Sequence, residues 1–482
     1  MATEDLKKKT LSGLFWQFAQ KVLGQVISFG ISVVLARLLM PENFGVVALA
    51  GMFTVLLGIF IDCGFGTALI QKKDADDLDF STIFWTQIVF STIIYLVVFS
   101  LAPWFSILFH TPELTKVIRI SGLSMILGTL GGMQNVIVSK RMAFKTYFYR
   151  TLIGTSLSGI IGIILAYSGW GVWALVTQHL SSTILNTITV FFQIRWLPSL
   201  TFSIERFKSL FAISSKFMLA TLIGTGFAQL KGYIIGWKFQ TADLAFYNRG
   251  SGLPRLVTRN IDSSINSVLF PVISKLQDDK EAVKNAIRRA MKTSTFILAP
   301  LLLGLAAIAD KVVIILYTEK WAPAIPFMQV FCISDCLAIL NTANLQALKG
   351  IGKAGTVLKL EIYKKPVMVA ILIGTMFISP LAITIGMCVY GLYALIINAY
   401  PNKKYINYSF GEQIKDVGGH FLLAITMSAI VYLIGLVQLN VYLIVTIQII
   451  LGALIYILGA KLCHFESLDY VIQTFKKIIH KK

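Results

Sequence analysis

Charge is scarce in this chain: 14% of its 482 residues are Asp, Glu, Lys or Arg, while 56% are hydrophobic. That is too little charge to coat a soluble protein of this length. Acids are scarcest, 23 against 43 basic residues. The five cysteines, Cys63, Cys332, Cys336, Cys388 and Cys463, fall mostly within apolar runs. Cys332 and Cys336 stand at i,i+4 with no His or acidic pair at ligand spacing, so small packing residues are expected rather than a metal centre. Long polar connections are also lacking. The segments PENF, YSGWG, SP and QLN are short, with longer ones only at 104–113 and 310–321, and no extramembrane domain can fold from them.

What the chain has instead is apolar runs long enough to cross a ~30 Å hydrocarbon core. They predict an all-α polytopic membrane protein with about fourteen spans, at 12–39, 44–70, 80–102, 115–138, 147–167, 171–194, 210–236, 244–271, 286–309, 324–348, 357–379, 382–400, 418–438 and 441–462. Segment 244–271 is the weakest by hydropathy, but its crossing keeps the later basic loops on one side. With Lys7, Lys8 and Lys9 inside, the cytoplasmic connections carry Lys72/Lys73, Lys140/Arg141/Lys145/Arg150, Arg195/Arg206/Lys208, Lys349/Lys353 and Lys403/Lys404/Lys415. The net charge of +20 therefore reflects topology, and no nucleic-acid partner is expected. The first span, without a small-residue cleavage site after a short core, reads as an uncleaved anchor, so both termini are placed in the cytoplasm. At the end, Phe465, Leu468, Ile472, Phe475 and Ile479 recur at helical spacing beside Lys476, Lys477, Lys481 and Lys482. That predicts a basic amphipathic tail on the anionic inner leaflet. A small-residue face, Gly154, Ser158 and Gly162, predicts close helix packing.

The chain also repeats itself. ARLLMPENFGVVALA (36–50) has a counterpart in IGWKFQTADLAFYNRG (235–250), with Phe44 falling on Leu244, Gly45 on Ala245, Val47 on Tyr247 and Asp62 on Asp262. The expected organisation is two six-helix lobes, 1–200 and 201–408, then two helices in 409–463 and the tail in 464–482. An internal repeat with charges inside both copies is how secondary transporters build a site between two moving halves.

Charges inside hydrocarbon cost at least ~2.5–3.5 kcal/mol each, so repeated exceptions should face a cavity or a partner. Span eight holds the densest set, with Asn248, Gly252, Arg255, Arg259, Asp262 and Asn266 on one stripe. Arginine binds phosphate through a planar fork, so pyrophosphate or an acidic sugar is the natural guest. The alternative is that Asp262 neutralises Arg259 one turn away, which leaves Arg255 without a partner in its span. Further cavity candidates are Lys21, with Gln17, Gln20 and Gln25, in span one, Arg37 near its outer end, and Lys216 and Lys231 in span seven. Lys21 is about 13 Å into its helix, too deep for easy snorkelling. Asp62 has three readings: a proton or sodium site, a cation's partner, or a packing residue beside Gly64 and Gly66. Asp335, with Asn341, Asn344 and Gln346 further along, is similarly open. These acids are candidates for coupling or charge tuning.

LARLLMPENFG (35–45), the D-x-G-x-G-x-A-L-I-Q arrangement from Asp62 to Gln71, SKRMAFKTYFYR (139–150), GVWALV (171–176) and YNRGSGLPRLVTRNIDSSINSVLFPVISKLQDD (247–279) together resemble bacterial polysaccharide transporters. The chain is similar to the oligosaccharide-lipid flippases of the multidrug/oligosaccharidyl-lipid/polysaccharide superfamily, near the colanic-acid and teichuronic-acid exporters. The resemblance implies a two-lobed bundle of twelve helices plus two, in a bacterial inner membrane. It implies movement of a polyprenyl-diphosphate-linked oligosaccharide, a capsule, exopolysaccharide or O-antigen repeat unit, by alternating access through a cationic cavity. Membrane lipid, a glycan polymerase and chain-length machinery are the implied partners; no cofactor, metal or catalytic residue is expected. A cation-coupled multidrug exporter of the same superfamily would need a buried acid without basic competition, yet span one has Lys21 and no acid. A membrane glycan polymerase or glycosyltransferase would need a sizeable loop or domain bearing a catalytic cluster, and the outside loops are too short.

Overall fold

The computed structural model describes residues 2–141, 145–437 and 439–479. Positions 142–144 of the SKRMAFKTYFYR motif and Lys481 and Lys482 of the tail lie outside the described residues, as do the side chains of Lys7, Lys8, Lys9, Phe475, Lys477 and Ile479. Among the described residues there is no strand. Contacts group the chain into two compact units, Met1–Ala245 and Phe246–Lys482.

The first unit holds α1 (Ala2–Leu38), α2 (Pro41–Asp62), α3 (Phe65–Gln71), α4 (Asp77–Leu108), α5 (Leu114–Leu130) and α6 (Gly132–Lys140). It continues with α7 (Lys145–Tyr167), α8 (Val172–Gln193), α9 (Ile204–Lys238) and the start of α10 (Thr241–Lys275). The second unit has the rest of α10, then α11 (Lys280–Ala307), α12 (Ala309–Tyr317), a short 3-10 turn (Glu319–Ala324), α13 (Ile325–Gly350) and α14 (Ala354–Thr375). It ends with α15 (Pro380–Ile406), α16 (Phe410–Ile434), α17 (Val441–Leu462) and α18 (Glu466–Ile479).

All fourteen expected segments fall on helices, and the chain is a multi-pass membrane protein. Ten helices are long and apolar enough to cross, or eleven if α5 and α6, bent by 41°, form one span. The helices α8, α10 and α14 are not among them. Their polar residues dilute the apolar run without breaking the helix. The repeat is visible in the backbone: α1 gives way to α2 at Leu39 and Met40, and α9 to α10 at Phe239 and Gln240, 200 residues on. The copies then diverge, because α10 runs on while the segment 44–70 breaks after Asp62.

Small residues set the spacing in the first unit. A Cβ on Gly154 would strike Asn186, one on Gly162 would come within 2.8 Å of Gln178, and one on Gly159 would strike Ile31. The expected small-residue face thus seats α7 on α8, and its neighbour Gly159 seats it on α1.

Each unit fastens a long helix by ion pairs. In the first, buried Asp79 on α4 takes Lys72 at 2.6 Å and Arg206 of α9 at 3.4 Å. Asp76 and Asp79 form a capping box at the start of α4, and Arg206 also reaches Asp76 at 3.3 Å. In the second, the charges are reversed. Lys284 and Arg288 of α11 meet Glu412 and Asp416 of α16 at 2.8 and 2.7 Å. Asp416 also accepts from the Tyr408 hydroxyl at 2.8 Å.

The Asp76 carboxyl is held below the usual carboxylate range, first by the Asp79 backbone N–H and then by Arg206 and Lys72. A depressed carboxyl contributes stability above its unfolded-state pKa of about 3.9 and loses it as pH falls through the folded value. Thermal melts over a pH series should therefore show D76N less stable than wild type at neutral pH, with the two curves converging in acid. The half-exposed side chain keeps this effect small.

The tail helix α18 does not leave its whole apolar face to lipid. Phe465, just before it, with Leu468 and Val471, packs on the cluster formed by Phe296, Ala424, Met427 and Tyr456. Ile472 and Tyr470 remain outward.

Candidate functional site

The polar stripe of span eight lies on α10, which carries Pro254 and Pro271 inside the helix. Proline removes a backbone donor; at other positions of the helix, side chains bond back to carbonyls of the preceding turn. Ser251 donates to Asn248, Thr258 to Pro254, Asn260 to Leu256 and Asn266 to Asp262, at 2.9–3.0 Å. The helix is anchored to α13 at both ends. A Cβ on Gly250 would come within 2.6 Å of Phe327, and one on Gly350 would strike Ile273. The Tyr247 ring lies 5.2 Å from that of Phe331.

This anchoring positions the two arginines differently. The Arg255 guanidinium lies 4.9 Å over the Phe331 ring, a stacking contact that leaves its fork of donors for other acceptors. Arg259 is exposed. Asp262 does not pair with it among the described residues. Its Oδ2 accepts from Asn266 at 3.1 Å, Oδ1 is buried without a hydrogen bond, and Asn266 is joined in turn to Gln346 of α13. The stripe is thus cationic, with its acid turned toward the helix behind it. Asp335 sits on α13 beside Cys336 and Cys388.

Behind α10 the second unit is cross-linked by carboxamides. Asn398 donates to Asn341 at 2.8 Å, Asn402 to Asn344 at 2.6 Å, and Asn344 exchanges hydrogen bonds with Gln413 at 2.9 Å each way. These ties join α13, α15 and α16. Asn398 Oδ1 and Asn402 Oδ1 are buried without a hydrogen bond, so the network is only partly satisfied, but its amide ties hold these helices together behind α10.

The remaining candidates belong to the first unit. Lys21 and Gln25 are half-buried on α1, where neighbouring Gln20 donates to Thr151 at 3.1 Å. Arg37 is exposed in the last turn of α1. On α9, Lys216 is exposed and Lys231 half-buried. Asp62 closes the break in span two. Cys63 and Gly64 both have positive φ, 49° and 75°, and the Asp62 carboxylate accepts from the Gly64 N–H at 3.3 Å. Gly64 has no room for a side chain, since a Cβ would lie 2.6 Å from the Ser214 carbonyl of α9. The structure therefore groups Arg255, Arg259, Asp262 and Asp335 in one unit, and Lys21, Gln25, Arg37, Asp62, Lys216 and Lys231 in the other.

One pair within the expected span 357–379 escapes sequence reasoning. On α14 the ammonium of Lys364, 4% exposed, lies 2.6 Å from Glu361, which also meets Lys365 at 3.5 Å. Lys364 is ten residues into its helix, about 15 Å. The signal was present in the i,i+3 and i,i+4 spacing. E361Q strands the lysine, a loss of about 3 kcal/mol at the lower end for a broken buried pair because Glu361 is partly exposed. Thermal melts should show a large fall for E361Q and recovery in E361Q/K364M; equal melting of E361Q and wild type would show that the pair contributes nothing.

Comparison with known proteins agrees with this architecture. Residues 34–326 match the polysaccharide biosynthesis protein family. The succinoglycan biosynthesis transport protein ExoT of Rhizobium meliloti is 26% identical over 336 residues, 69% of this chain and 68% of that one. The lipopolysaccharide biosynthesis protein WzxC of Escherichia coli is 22% identical over 441 residues, 90% of this chain and 89% of that one. Among solved structures, the lipid II flippase MurJ in its inward closed conformation aligns with a TM-score of 0.74 at 15% identity, covering 94% of this chain and 99% of that one. That likeness shows the shared fold. With the family match spanning more than half of its length, this chain belongs to the polysaccharide biosynthesis protein family.

Proposed function

We propose that the chain moves a polyprenyl-diphosphate-linked oligosaccharide from the cytoplasmic to the outer leaflet of a bacterial inner membrane, by alternating access through a hydrated cationic path. The observation that carries this reading is the α10 stripe, in which Arg255 stacks on Phe331 and Arg259 stays clear of Asp262. A diphosphate bearing hydroxyl-rich sugars cannot shed its water into hydrocarbon without a cost of many kcal/mol. Guanidinium forks replace that hydration, while the lipid tail stays in the bilayer. Arg255 and Arg259, with Lys21, Lys216 and Lys231, contact the head group; Gln25 and Arg37 line its route, and Asp62, Asp262 and Asp335 tune or couple it. The lobes 1–200 and 201–408 are the alternating halves. Transport of this kind makes and breaks no bond. Both termini face the cytoplasm, and a polymerase with its chain-length machinery takes up the delivered unit.

The test is the fate of the lipid-linked oligosaccharide in cells lacking the protein and any second flippase. Accumulation on the cytoplasmic leaflet, relieved by the wild-type chain, is the expected result. Normal appearance on the outer leaflet would overturn the reading.

A further inference from the structure

Where α7 begins beside α1, four side chains outside the proposed transport residues come together. The Trp16 ring lies 5.1 Å from that of Phe148 and 6.4 Å from that of Tyr149. The Lys145 ammonium hangs over two of these rings, 5.5 Å from Trp16 and 5.8 Å from Tyr149. It has no acidic partner among the described residues. One turn along α1, the Gln20 amide bonds Thr151 across the same helix pair. Lys145 also belongs to the basic run Lys140, Arg141, Lys145 and Arg150 around the start of span five, 147–167, the kind of run that flanks a span at its cytoplasmic end. The cluster therefore sits at a membrane–water boundary, at the depth of a lipid head group.

A tryptophan at that depth can serve as an interfacial anchor, and a phospholipid would need only the ammonium. An unpaired cation poised over two aromatic faces, with an amide alongside, offers more. It matches a ligand that carries phosphate, the C–H face of a pyranose and hydroxyls together. We propose that Trp16, Tyr149, Lys145 and Gln20 form a loading site that receives the saccharide-diphosphate head group at the bilayer surface before it reaches the arginines of α10. This inference rests on the flippase reading. In the empty site Lys145 occupies the ring faces, a contact of modest strength. An arriving diphosphate draws the ammonium away into a charge-assisted hydrogen bond, and the exposed rings then take the sugar.

The test uses the full chain in nanodiscs, with binding measured for undecaprenyl diphosphate, its N-acetylglucosaminyl derivative and phosphatidylglycerol. Wild type should prefer the sugar-bearing lipid. W16L should lose that preference, weakening it about tenfold while binding of the bare diphosphate holds, whereas W16F retains part of it. K145Q should weaken both diphosphates about tenfold, with K145R restoring them. Unchanged thermal melts confirm folded variants. If W16L keeps the wild-type preference, or weakens all three lipids equally, the loading site is overturned and Trp16 is an anchor. If wild type binds neither diphosphate, the flippase reading fails with it.

Discussion

Replacing Arg255 and Arg259 together by alanine is expected to lower delivery of lipid-linked oligosaccharide to the outer leaflet by about 100-fold or more, at unchanged protein level. Each charge-assisted hydrogen bond is worth ~1.5–3 kcal/mol, so two lost together remove roughly 3–6 kcal/mol, and ~1.4 kcal/mol is a factor of ten. Each single substitution should show a smaller loss. Lysine at both positions should restore part of the activity, because it returns the charge without the planar fork. Arg255 also rests on Phe331, so a melting curve must accompany the transport assay; the stacking term is only ~0.5–1 kcal/mol at an exposed site. D262N is expected to leave delivery closer to wild type, since its carboxylate bonds Asn266 and not Arg259. Delivery by the double mutant at the wild-type rate would remove these arginines from the path.

The largest stability effect is expected at Asp79. Its side chain is fully buried, 2.6 Å from Lys72 and 3.4 Å from Arg206, and it accepts from the Asp76 backbone N–H at 3.2 Å. Alanine there removes the counter-charge of two cations and half of a capping box. Breaking a buried pair costs about 3–5 kcal/mol. The cations, 30% and 39% exposed, recover some of that by hydration, and the lost cap adds ~1 kcal/mol. A total near 4 kcal/mol is a large share of a native stability of ~5–15 kcal/mol. D79A should yield little monodisperse protein on size-exclusion chromatography, and D79N more. R206A should be mild, as half-exposed pairs contribute little. A D79A protein that melts with wild type would show that the network does not hold α4 and α9 together.

Hydropathy located the helices well because a run of ~20 apolar residues has few other uses. It failed where geometry, not polarity, decides. The break at Cys63 and Gly64 lies between two apolar stretches, so no hydropathy window registers it; the two positive φ values and the closeness of Ser214 demand it. The D-x-G-x-G motif was its trace. At Asp262 the i,i+3 spacing to Arg259 suggested a pair, but Asn266 competes from the next turn and is fixed by Gln346 on another helix. A local pattern cannot weigh such a tertiary partner. Glu361 and Lys364 lie inside the expected span 357–379, where a hydropathy window averages over them; burial is what makes them a pair. The tail was legible as amphipathic, but the sequence could not say that part of its apolar face meets α11 and α16.

The reversed polarity of the two fastenings bears on how a duplicated chain avoids assembling wrongly. By span count α4 and α11 are equivalent third helices, and α9 and α16 the helices that follow each repeat, so during membrane insertion each could try the other's berth. Arg206 offered to the start of α11 would meet Lys284 and Arg288, and Glu412 and Asp416 offered to α4 would meet Asp76 and Asp79. Like charges oppose both exchanges, and opposite charges favour both native partners. The duplication thus carries its own proofreading, written in the sign of three residues on one side and four on the other.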